Sequence, residues 1–97
     1  MTLTTRNLRR EMRELTNEAT ERYAGLMVSA NIDCGKTLPG YRLSLVPIIH
    51  GHWCLEDRFL IKHPNGEPRV VASARTAMNF AARYGFEPHH VQFREVR

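Results

Sequence analysis

His50, His52 and Cys54 stand at alternate positions, so in an extended strand their side chains would project from one face. Imidazole nitrogen and thiolate sulfur are good zinc ligands, and the His89-His90 pair would supply a fourth. Gly51 argues against that set, because a bend between the two histidines spoils their spacing. Histidines flanking a turn are ordinarily solvated, and Cys54 reads equally well as a small core residue. No metal site and no cofactor is expected.

A second motif needs the same scrutiny. Residues Ala30-Asn31-Ile32-Asp33-Cys34-Gly35-Lys36-Thr37 fit a loosened phosphate-loop pattern. That chemistry requires a buried strand before the loop and a helix after it, so that backbone N–H groups meet the phosphates. Here the preceding segment reads as an amphipathic helix, and Leu38-Pro39-Gly40 blocks a helix afterwards. The segment is expected to be a linker.

Covalent catalysis has less support. Cys54 has histidines nearby, and Asp57 interrupts the apolar side of its strand, where burial would raise its pKa. An ion pair with Arg58, or a bulge that turns Asp57 outward, accounts for it without chemistry. No triad stands at convincing positions, so no enzyme is expected.

The basic residues carry more. Net charge is +4, from fourteen Lys and Arg against ten Asp and Glu, and all but Lys36 and Lys62 are Arg. Guanidinium favours planar, bidentate contacts to phosphate or carboxylate, although a GC-rich genome yields the same excess. Arg6, Arg9, Arg10 and Arg13 share one face of the first expected helix, and Glu11, Glu14, Glu18 and Glu21 share another. Basic residues in a first turn oppose the helix dipole at about 0.3–1 kcal/mol each. Arg42, Arg58, Lys62, Arg69 and Arg94 alternate away from the apolar positions of the expected sheet, diluted by Glu56 and Glu67. Trp53 and Phe59 are expected on the covered side, which leaves phosphate or groove contact rather than base stacking.

The elements that position these residues follow from periodicity. Leu8, Met12, Leu15, Ala19, Tyr23 and Leu26 recur at spacings of three and four, predicting one long amphipathic helix from about Thr5 to Ala30. Thr4 or Thr5 would cap it, and Gly25 would kink or end it. Residues 31–40 read as a linker. Alternation over Tyr41–Ile49 and Trp53–Ile61, with a Pro64-Asn65-Gly66 turn before Val70-Val71, predicts strands and a hairpin. Ser73 would cap a helix carrying Ala77, Met78, Ala81 and Tyr84, stopped by Gly85, before a last strand over Val91–Val96.

The expected fold is therefore α+β in one domain, residues 1–97. It comprises a long N-terminal helix (1–30), the linker and a β-β-β-α-β antiparallel sheet unit (41–97) with one helix packed on one face. The order helix, three strands, helix invites comparison with double-stranded RNA-binding domains. Their basic cluster at the start of the second helix is absent here, so no family is assigned.

Two free cysteines, no secretory signal and no membrane-length apolar run point to the cytoplasm, with no membrane partner. The leading function is a small nucleic-acid-binding or regulatory protein, on DNA or RNA, using the nine basic residues named above on the helix and the sheet. The rival is a protein-binding adaptor or inhibitor that docks through the long helix. A homodimer through that helix fits either reading.

Overall fold

The computed structural model describes residues 2–94, and its frame is a pair of long antiparallel strands. β1 covers Arg22–Asp33 and β2 covers Lys36–Ile49, with Gly25 opposite Val46 and Val28 opposite Leu43. Cys34 and Gly35 join them with φ of 50° and 78°, and His50 and Gly51 close the far end of β2 with φ of 50° and 80°. Two consecutive positive φ values are the mark of a tight hairpin turn whose twist matches its strands.

After the second turn the chain runs back along β2 in three pieces. β3 (His52–Trp53) pairs with Ile48 and Ile49, β4 (Phe59–Leu60) with Ser44 and Leu45, and β5 (Val70–Val71) with Tyr41 and Arg42. The turn expected at Pro64-Asn65-Gly66 lies between β4 and β5, closed by His63 N–H donating to Glu67 O at 2.8 Å.

The long N-terminal helix does not form. α1 spans Leu8–Leu15, Thr16 is already extended, and Glu21 (φ 50°) turns the chain into β1. Asn7, rather than Thr4 or Thr5, precedes the first helical turn, and its side chain makes no capping bond to it. The apolar run misleads because Ala24, Gly25, Leu26, Met27 and Val28 are all buried. A strand covered on both faces loses its alternation and resembles a buried helix. Residues 31–40 are likewise no linker: they form the β1–β2 turn and the flanking ends of both strands.

The sheet is mixed rather than antiparallel. α2 (Ala74–Arg83) carries the chain across to β6 (Val91–Arg94), which lies parallel to β1 with Val91 beside Leu26 and Arg94 beside Ser29. A helical crossover of this kind is what a parallel neighbour requires. The last two residues expected in this strand lie outside the described ones.

The α2 boundaries are those the sequence predicts. Ser73 Oγ accepts from Thr76 N–H, and Gly85 (φ 86°) lets Phe86 N–H reach Ala81 O at 2.9 Å. Phe86 is buried as expected, but Met78 is exposed and Phe80 takes a core position beside Ala77 and Ala81.

α1 and α2 cover one face of the sheet. The main core lies between: Leu8, Leu26, Val28, Leu43, Leu45 and Phe80 belong to it, and Met12 and Leu15 of α1 pack against its edge. Among the described residues no α-helix covers the opposite face. At one end the Trp53 ring lies on Gly25, where an added Cβ would stand 2.7 Å from the ring and 2.8 Å from Ile48 Cδ1. Trp53 is in register with Ile48, so it belongs to this face and not to the helix-covered one.

No helix among the described residues is long and apolar enough to cross a membrane. Gly25→Ala is expected to lower stability by about 1–3 kcal/mol through overpacking, read from urea denaturation. An unchanged midpoint would mean that Trp53 does not rest on this glycine.

Candidate functional site

Side chains on one face of paired strands line up across the sheet. Arg42 of β2, Ser29 of β1 and Arg94 of β6 form one such row on the helix-free face. Arg58, just before β4, reaches the same place. Together with Ser44, Ala30, Ile32 and Leu60 they line a cavity of about 240 Å³. Among the described residues no carboxylate lines it, and none forms an ion pair with Arg42, Arg58 or Arg94.

The cavity's geometry begins at an irregularity in the hairpin. Between Ala30 and Ile32 the register shifts, so that Ala30 faces Tyr41 while Ile32 faces Thr37. Such bulges re-aim side chains. Asn31, 7% exposed, turns its amide into the gap: Nδ2 donates to Pro39 O at 3.1 Å and Oδ1 accepts from Arg42 Nε at 2.9 Å. Arg42 is thus gripped at Nε, with its terminal nitrogens left for another acceptor.

Ser29 adds an unmet demand. Its Oγ is sealed from solvent and has no hydrogen-bond partner among the described residues. A buried hydroxyl left unsatisfied costs about 1–3 kcal/mol. Ser44, 4% exposed, stands in the next row of the same face, in register with Met27 and Leu60.

The other expected site residues are dispersed. Lys62 lines a separate small pocket, which Arg58 shares. Arg69 leaves the sheet face altogether, its guanidinium 5.9 Å from the centroid of the Phe80 ring on the helix side. On α1, Arg9 lies 5.3 Å from the Tyr84 ring centroid and donates to Arg83 O at 2.9 Å, clamping the two helices together. Arg10 pairs with Glu11 at 3.7 Å. Arg6 precedes the helix and Arg13 lies in its last turn, both exposed. Of the expected four-arginine stripe, Arg9 is drawn onto α2, while Arg6, Arg10 and Arg13 are exposed.

The discounted motifs take plain structural roles. Cys34-Gly35 is the hairpin turn, so no helix follows the phosphate-loop pattern. His50 sits in its own turn with Nδ1 3.2 Å from Glu21 Oε2, and Cys54 Sγ approaches His52 O at 3.7 Å. Among the described residues no three His, Cys, Asp or Glu side chains converge as a metal-ligand set. Asp57 is exposed in a short 3-10 turn.

A larger cleft, about 830 Å³, opens at the other end of the sheet between Met12, Tyr23, Trp53, Phe86 and His90. Its lining mixes Glu18 and Glu87 with His89 and His90, giving no concentration of one charge. The smaller cavity, with its uniform charge and orphaned hydroxyl, is the more specific site.

Asn31, Ser29 and Ser44 escape a sequence reading because the first two fall in the expected linker and helix. Once β1 is a strand, two small polar residues among buried apolar ones are the available signal. Comparison with family models, curated proteins and solved structures finds no match to this chain.

His90 lies 5.0 Å from Tyr23, ring to ring, at the edge of the larger cleft. Burial pulls its pKa below the usual 6.5 and neighbouring His89 adds to this, while Glu87 opposes both. The unfolded chain therefore binds this proton more readily than the folded one, and His90 lowers stability as pH falls through about 6.5. His90→Gln is expected to flatten the acid side of a Tm-against-pH curve; an unchanged slope would place the acid sensitivity elsewhere.

Proposed function

We propose that this protein is a non-enzymatic nucleic-acid-binding protein that holds phosphates against the helix-free face of its sheet. One observation carries the reading: Arg42, Arg58 and Arg94 converge on a single cavity that no described carboxylate lines. Guanidinium groups placed so are matched to phosphate oxygens in geometry as well as charge. Lys62, beside Arg58 in the adjoining pocket, extends the basic surface. Trp53, on the same face, is half-buried over Gly25, so backbone contact takes precedence over base stacking.

The adaptor reading loses its premise. It required a helix longer than the sheet with an apolar stripe to spare, whereas α1 has eight residues and commits Leu8, Met12 and Leu15 to the core. The homodimer through that helix loses the same support. Both cysteines are free thiols, which fits a reducing cytoplasm.

Fluorescence anisotropy with labelled single- and double-stranded DNA and RNA tests the reading. Three phosphate contacts imply affinity falling roughly 20- to 40-fold between about 50 and 200 mM salt. Reversing Arg42, Arg58 and Arg94 to Glu is expected to abolish binding, while reversing Arg6 and Arg13 leaves most of it. Binding that ignores salt, or is lost only with the helix variant, contradicts the proposal.

A further inference from the structure

We propose that the Arg42–Arg58–Arg94 cavity is a seat for a terminal phosphate, a phosphomonoester, with the Ser29 hydroxyl as its fixed hydrogen-bond donor. The inference rests on the phosphate-binding reading of the same face and names the chemical form of phosphate it prefers.

Charge argues for a monoester. The cavity gathers three guanidinium groups and no lining carboxylate among the described residues. An internal phosphodiester brings about one negative charge, whereas a monoester brings about 1.5–2 at neutral pH and three terminal oxygens. The second form matches three arginines approaching from three elements: β2, the segment before β4, and β6.

The hydroxyl argues for a seat rather than a charged surface. A flat basic patch leaves its small polar side chains in water, where they need no partner. Ser29 Oγ is sealed from solvent, lacks any partner among the described residues, and is flanked in its row by Arg42 and Arg94. The hydroxyl is closed even to water, so an acceptor oxygen of an anion held between those two arginines reaches it only when the side chains around it, the exposed Arg94 among them, move apart. Arg42 is already oriented, because Asn31 Oδ1 holds its Nε at 2.9 Å. Arg58 and Arg94 are exposed and free to fold over an entering group. At ~30 Å³ per water, a cavity of about 240 Å³ admits one phosphate with part of its hydration shell.

The terminal phosphate has two sources, a mononucleotide or the end of a strand, and the experiment separates them. Internally labelled oligonucleotides of one sequence, carrying a 5′-phosphate, a 3′-phosphate or neither, are titrated by anisotropy at about 50 mM salt. Parallel NMR titrations use inorganic phosphate and a nucleoside 5′-monophosphate, following the backbone amides of Ser29 and Arg42.

A phosphorylated strand is expected to bind about tenfold or more tightly than the hydroxyl-ended one. Ser29→Ala, which removes an unsatisfied hydroxyl and should fold at least as well, is expected to cancel that advantage. Equal affinity for all three strands, unchanged in Ser29→Ala, overturns the inference and leaves the nucleic-acid reading standing. Saturation by phosphate or the mononucleotide that depends on Ser29, with no strand bound, upholds the seat and overturns that reading. No response to any of these ligands overturns both.

Discussion

Two paired strands whose central stretches, residues 24–28 and 43–48, are buried hold this molecule together, and every other element is placed by its relation to them. Desolvating the β1–β2 ladder makes each backbone group in it dependent on its cross-strand partner, so register is rigidly set. That register fixes which side chains meet the helices and which form the opposite face. The outer edge of β2 is closed by β3, β4 and β5, and the outer edge of β1 by β6. The row Arg42, Ser29, Arg94 exists only because three strands from distant parts of the chain share this frame.

The two faces divide the work. On one, α1 and α2 complete an apolar core, and arginines near it serve structure: Arg9 bridges the helices, and Arg22 donates to Leu15 O at 2.7 Å, satisfying a carbonyl at the end of α1. On the other, Trp53 covers one end over Gly25, and farther along Ser29, Ser44, Arg42, Arg58 and Arg94 stand among apolar neighbours such as Ile32 and Leu60. An arginine's role thus depends on what lies beneath it, which composition does not record.

Three of the local signals in the sequence are accurate. Ser73 as a cap, Gly85 with Phe86 as a helix stop, and Pro64-Asn65-Gly66 as a turn all depend on residues within a few positions of one another. The largest failure has one cause. The stretch 23–28 carries no polar residue on either face apart from the Tyr23 hydroxyl, so helical and extended spacings fit it equally, and only tertiary covering decides. Misreading that strand hides its hairpin partner, displaces Ser29 and Asn31 from the sheet, and turns a type I′ turn at Cys34-Gly35 into an apparent linker. Arg42, Arg58 and Arg94 come to one cavity, whereas the placements of Arg69 and Arg9 depend on Phe80, Tyr84 and the Arg83 carbonyl, which come from elsewhere in the chain.

The central claim is that the helix-free sheet face, and not the N-terminal helix, meets phosphate. Its most direct test is chemical-shift mapping of the ¹⁵N-labelled protein titrated with a short unlabelled oligonucleotide at low salt. The account predicts shifts concentrated at Ser29, Asn31, Arg42, Ser44, Arg58 and Arg94. Shifts confined to the Leu8–Leu15 helix, or none at saturating oligonucleotide, would contradict it.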